Sequence, residues 1–261
     1  MTGTRSLALL ALFPLIVNAQ SEAPKPATLP REVSAAVKRA VDAMRNAQRS
    51  DGCWGNYGPG STALAGLAMM EAGVSADDPM VRAAASFVRY HALVSTNTYC
   101  IALGIVFLDR CGDKDDKDII VVLAERLVRG QKPDGGWSYH CDLGNTRGLE
   151  KKLPIPGITP GRDDYPVERM DLKSHEVAFT DISNTQFAIL GLWVAHRHGV
   201  SVEQALLKVE ERFRKSVMKM PIGVAWAYTL DDQHGMSGAR TCAALLGLAM
   251  SVGVKVQRAL K

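Results

Sequence analysis

The sequence predicts an all-α fold of paired helices, and three observations carry that prediction. Four stretches are apolar on all sides: residues 61–73, 98–112, 179–199 and 241–253. Each has Ser or Thr near its start, a glycine at its end and one internal glycine, Gly66, Gly104, Gly191 and Gly247 in turn. The stretches between them are amphipathic with a helical period, one face apolar and the other charged. No segment reads convincingly as a strand. The expected order is outer helix, inner helix, four times over.

The organising stretch is residues 179–199. Asp181, Ser183, Asn184 and Thr185 open it, with short side chains that accept from the free N–H groups of a helix start. An unbroken apolar run follows from Phe187 to Ala195. His196, Arg197 and His198 suit the negative end of the helix dipole, and Gly199 is a stop. A helix that is apolar all round must be covered all round, so it belongs to an inner layer. An internal glycine costs a helix about 1 kcal/mol against alanine. Its use at the same place in four helices implies a close backbone neighbour there.

The outer helices show the complementary pattern. Residues 32–48 set Val33, Ala36, Val37, Ala40, Val41 and Met44 on one face, opposite Lys38, Arg39, Asp42 and Arg45. Val202, Ala205, Leu206, Val209 and Phe213 repeat it, opposite Glu203, Lys208, Glu210 and Glu211. Residues 79–93 and 118–130 also read as surface helices, and 255–261 as the start of a fifth. Two outer helices end in nearly the same words: Gln48, Asp51, Gly52 and Trp54, then Gln131, Asp134, Gly135 and Trp137. A worn third copy runs through Gly223, Trp226 and Tyr228. Asp-Gly makes a tight turn. Gln and Trp can then bond the free backbone groups of neighbouring helix ends. These residues are expected to be structural staples.

The first residues read as an address. Arg5, an apolar run from Leu7 to Val17 and the small residues around Ala19 describe a signal peptide over residues 1–19. A Pro-rich leader covers 20–30, and one domain, 31–261, follows. The expected location is outside the cytoplasm: periplasm, cell envelope or extracellular space. Hydrophobic residues make up 47% of the chain, ample for a core, and the +4 net charge is interspersed, so nothing points to nucleic acid. No transmembrane segment is expected after signal cleavage. The five cysteines leave at least one thiol outside any intrachain pair.

Gln-x-x-Asp-Gly-x-Trp ending an outer helix, before an inner helix started by Ser or Thr, resembles the QW motif of the squalene and oxidosqualene cyclases. The wider group is the prenyltransferase and squalene oxidase repeat proteins. The resemblance runs from Glu32 onward and implies an α/α toroid of about four helix pairs. That is an incomplete ring beside the six of the family, with an apolar cavity at one mouth. It also implies ligand-cavity candidates: Trp137, Tyr139, Asp181, Ser183, Asn184 and Phe187. The cyclases protonate squalene with the middle residue of Asp-x-Asp-Asp-Thr. The matching stretch here is Asp181-Ile-Ser183-Asn184-Thr185, with Ser183 at the acid position. A serine hydroxyl cannot protonate an alkene, so no catalytic residue is assigned.

The prenyltransferases of the same group hold zinc through Asp, Cys and His. The matching candidates are His140, Cys141, Asp142 and His175, but His140 and Cys141 are adjacent rather than at ligand spacing. No metal or cofactor is expected. The acidic run from Asp113 to Asp118 lacks the glycine and glutamate of a calcium loop and reads as a solvated helix start. The insertion 138–180 is long enough to be functional, as a lid or a partner-docking loop. The resulting expectation is an exported binding protein for an apolar or isoprenoid-like ligand or a protein partner. Self-association is also expected, through Leu245, Leu246, Leu248 or Met250. Two other readings stay open: an enzyme of the cyclase or transferase group with a non-standard acid, and a structural repeat in an envelope assembly.

Overall fold

The computed structural model describes residues 30–55, 58–141, 179–232 and 235–259. The signal peptide, nearly all of the leader, most of the insertion, Asp142 and His175 lie outside the described residues. The chain divides between Ala43 and Met44. Helix α1 (Arg31–Ala47) crosses that division. The second unit holds α2 (Gly58–Glu71), α3 (Pro79–Val94), α4 (Thr98–Cys111), a 3-10 turn (Lys114–Asp116) and α5 (Lys117–Gly130). It continues with α6 (Ile182–His196), α7 (Glu203–Lys215), a hairpin of β1 (Met218–Met220) and β2 (Gly223–Ala225), and α8 (Gly238–Ala259). The all-α class holds.

The four helices that are apolar all round pack in succession, α2 on α4, α4 on α6 and α6 on α8. Of the amphipathic helices, α3 packs on α2 and α4, α5 on α4 and α6, and α7 on α8. The core between the rows includes Val88, Ile105, Phe107, Leu123, Leu127, Leu192 and Phe213, all essentially inaccessible. The internal glycines sit where neighbouring helices touch. A Cβ on Gly191 would lie 3.1 Å from the Ala102 backbone, and one on Gly66 or Gly247 would meet the rings of Phe107 or Phe213. Close approach therefore explains their placement inside helices.

The two Gln…Trp turns share their hydrogen bonds group for group. Gln48 Nε2 donates to the carbonyls of Gly52 and Met80, both at 2.9 Å. Gln131 Nε2 donates to Gly135 at 3.0 Å and Ala205 at 2.9 Å. The indoles of Trp54 and Trp137 each donate to a carbonyl ten residues back, Met44 and Leu127, at 2.7 Å. Their backbone N–H groups donate to Thr62 and Thr185 in the following helix. Asp51 and Asp134 accept from the N–H two residues on. At the end of α3 no such turn exists. The buried guanidinium of Arg126 instead donates to the carbonyls of Ala92, Leu93 and Ser95.

Four expectations need correction. A short hairpin forms, with Met218 opposite Ala225 and Met220 opposite Gly223. It fills the worn third turn: Trp226 still donates to Phe213 at 2.8 Å, now thirteen residues back. Residues 255–259 continue α8 rather than starting a fifth outer helix. That helix is long and apolar enough over Gly238–Val256 to cross a membrane, with a third of the span buried in the fold. The acidic run is not a solvated helix start throughout, because Asp116 is buried against Arg89 at 2.5 Å. Helix α1 forms with its apolar face as the period predicts, yet none of its residues is buried and Val33 is 44% exposed.

Candidate functional site

The residues that converge lie at the N-terminal ends of α4 and α6. Asn97 caps α4 and Asp181 caps α6. Two residues after each cap stand Tyr99 and Ser183, and the Tyr99 hydroxyl donates to Ser183 Oγ at 2.8 Å. The segment between the two helix starts is stitched to both. Thr98 N–H donates to the Tyr139 carbonyl, Cys141 N–H to Thr96, and Asp181 N–H to Trp137. On the far side of α6, Ile182 N–H donates to the Tyr228 carbonyl. Tyr139 and Tyr228 thus flank the mouth of α6, each two residues beyond a Trp that anchors its segment.

Together these groups form an aromatic cup. The Tyr99 ring lies 5.0 Å from that of Phe187, edge to face, and 6.0 Å from that of Tyr139. Tyr228 hydrogen-bonds Tyr139. The Arg240 guanidinium lies over the Tyr228 ring at 5.1 Å, a cation–π contact. Tyr139 is 50% exposed, while Tyr99, Ser183, Phe187 and Tyr228 are half-buried. Burial raises the Tyr99 pKa, the charges of Asp181 and Tyr139 add to it, and the Ser183 bond offsets part. Burial likewise raises Tyr228, together with its bond to Tyr139 and the Asp181 charge. Tyr99 and Tyr228 therefore stay neutral hydroxyls at neutral pH, set among ring faces.

Three of the six cavity candidates do not line it. Trp137 is completely buried and spends its indole on Leu127. Asn184 is completely buried, with Nδ2 donating to Asp181 at 2.7 Å. Asp181 is 3% exposed and also accepts from the Asn184 backbone at 2.8 Å. Both of its oxygens therefore serve the start of α6. Tyr139, Ser183 and Phe187 do belong to the cup. Tyr99, Tyr228 and Arg240 were missed. The first two had a signal: Tyr99 holds the place after its cap that Ser183 holds, and Tyr228 follows Trp226 as Tyr139 follows Trp137.

His140 and Cys141 turn to different partners, Thr96 at 3.3 Å and Thr98 at 3.4 Å. Among the described residues no group of three or more His, Cys, Asp or Glu could hold a metal, and no disulfide joins the cysteines. A pocket of about 280 Å³ adjoins the cup through Tyr228, lined also by Arg212, Lys215, Ser216, Trp226 and Asp232. It lies under the hairpin, at the end of α7.

No family model, curated protein or solved structure matches the chain. The site offers hydroxyls and aromatic faces at a helix-start mouth, with the nearby carboxylate committed to a cap.

Proposed function

We propose that this chain is an exported, terpenoid cyclase-like α/α toroid protein of about four helix pairs. In this reading it binds an apolar or isoprenoid-like ligand at the Tyr99–Tyr139–Phe187 cup without protonating it. The observation that carries the reading is the Tyr99–Ser183 hydroxyl pair. By the resemblance, Ser183 holds the position of the cyclase acid, and here it is bonded to a phenol. A neutral alkene is a very weak base, and only a strong, buried acid reaches it. A phenol whose pKa is raised is a weaker acid than usual, and serine is weaker still. Asp181, whose charge both Tyr99 and Tyr228 feel, is held by Asn184. Ring faces and hydroxyls suit a ligand with an apolar body and a polar end.

The test is titration of the purified protein with a fluorescent farnesyl analogue, beside incubation with squalene and product analysis. Saturable binding that weakens at least about tenfold in Tyr99→Ala and Phe187→Ala is expected, each variant removing a partly buried ring. No cyclic product is expected. Cyclic product from the wild type would overturn the reading, as would binding indifferent to both substitutions.

A further inference from the structure

Helix α8 has two faces of different character. Ala243, Ala244, Gly247, Ser251 and Val254 are buried, and α8 packs on α6 and α7. Ser251 fixes the buried face through its hydroxyl to the Leu206 carbonyl at 2.8 Å. The other face is exposed at Gly238, Cys242, Leu245, Ala249, Val252 and Val256. Leu245 is 49% exposed and Val256 45%, while Leu246, Leu248 and Met250 are half-buried. These six exposed positions advance by four, three, four, three and four residues, with Ala239 and Lys255 exposed beside them. That is the a/d seam of a coiled coil, standing open among the described residues.

We propose that this seam is a dimer interface whose occupant is α8 of a second copy, running antiparallel about a two-fold axis. The order of side chains selects this partner. In an antiparallel pair each a position meets a d position of the other helix. Cys242 then meets Val252 of the second copy, Ala249 meets Leu245, and Val256 meets Gly238. Each layer joins a small residue to a larger one, and the two-fold repeats every layer. A parallel pair would set Leu245 on Leu245 but Gly238 on Gly238 and Ala249 on Ala249, leaving those two layers underfilled. Tight packing needs the even filling of the antiparallel form.

Charge agrees with this partner. The seam carries no charged residue from Gly238 to Val256. The two cations beside it are engaged within their own chain, Arg240 over the Tyr228 ring and Lys255 on Glu210 at 2.5 Å. Two copies therefore meet without like-charge repulsion, and a self-complementary patch is what a two-fold interface requires.

Sedimentation equilibrium over a concentration series, without detergent, should show a monomer–dimer equilibrium. Leu245→Glu, at a solvent-facing position, should weaken association at least tenfold and leave the circular dichroism unchanged. Geometry is read separately by oxidation in a Cys111→Ser background. Val252→Cys should form a covalent dimer between residue 252 and Cys242 of the second copy. The parent carrying Val252 should not cross-link through Cys242. A protein monomeric at every concentration overturns the proposal. Cross-linking of the parent through Cys242 overturns it in favour of a parallel pair. A dimer that Leu245→Glu leaves intact, or that Val252→Cys does not cross-link, assigns the interface elsewhere. Binding to lipid vesicles without self-association assigns the seam to a membrane surface.

Discussion

The side-chain amide of Gln131 holds the carbonyl of Ala205 at 2.9 Å across seventy-four residues of chain. The same nitrogen reaches Gly135 at 3.0 Å, so one side chain closes its own turn and ties it to the start of α7. Removing it in Gln131→Ala should cost about 1–2 kcal/mol, the price of two part-buried carbonyls losing a donor. Gln131→Glu should be worse at neutral pH, because it sets a carboxylate against both carbonyls. Urea midpoints order the three proteins. A glutamate variant as stable as the alanine variant would show that the carbonyls find water instead.

Gly135 and Gly112 both have positive φ, +84° and +74°. They differ in surroundings. A Cβ on Gly135 would lie 2.3 Å from the Lys208 carbonyl, whereas one on Gly112 meets nothing within 4 Å. Gly112→Ala should therefore cost only the left-handed backbone penalty, about 1–2 kcal/mol. Gly135→Ala must also push α7 away and should lose several kcal/mol, as overpacking does. Thermal unfolding of the two variants separates conformational strain from collision.

Stability should fall in acid in two stages. Burial lowers the His91 pKa to about 4, with the Asp51 charge opposing. The unfolded chain binds that proton from about pH 6.5 downward. Between those values the unfolded state holds more protons, so stability is full above the window and declines as pH falls through it. On the order of 1–2 kcal/mol is expected after allowing for the ring's partial exposure. Asp134 acts at lower pH. Burial opposes its charged form, but Thr180, the Gly136 N–H and Arg212 together hold its pKa below the ordinary value. Its contribution is present above the unfolded carboxylate pKa, and is lost as pH falls through the folded one. In His91→Phe, which keeps a ring against Phe87, the decline between pH 6.5 and 4 should flatten and the lower one remain.

How much of this was legible follows from which interactions are local. Caps and turns are short-range, so Asp181, Gly52 and Gly135 could be placed from neighbouring residues alone. The internal glycines announced close packing, though not their partners, Phe107 and Ala102. The hairpin was missed because Met218 to Ala225 is short and is interrupted by Pro221 and Gly223, so it shows no alternating period. The cup was half-read. Ser183 and Phe187 share one helix, but Tyr99 reaches Ser183 from eighty-four residues away, and no sequence period encodes that distance. Trp137 was assigned to a cavity wall because an aromatic beside a mouth suits one, yet its N–H needed a carbonyl and found Leu127 inside the core.

In the cyclase-like reading proposed above, the acid motif is rebuilt one residue at a time, and the two steps should behave differently. Ser183 is half-buried and bonded to a phenol, so Ser183→Asp places a carboxylate where Tyr99 can donate to it. That variant should fold with a loss of about 1 kcal/mol or less, since a charged acceptor compensates part of its desolvation. Asn184 is completely buried, and its Nδ2 donates to Asp181 at 2.7 Å. Asn184→Asp removes the donor and sets two buried carboxyls against each other. They cannot both ionise, so one must hold a proton that the unfolded chain would release at neutral pH. A raised folded pKa gives up stability as pH rises through the unfolded value. The deficit against wild type should therefore be several kcal/mol at pH 7 and shrink toward pH 4. Neither variant nor the double variant should convert squalene: a carboxylate at 183 is a base and not an acid, and the proton shared in Asn184→Asp stays on the cap of α6, outside the cup. Denaturation at the two pH values, beside product analysis, measures both claims. A deficit that does not shrink in acid would mean that Asp181 and residue 184 do not share a proton, and turnover by the double variant would place the acid in the cup after all.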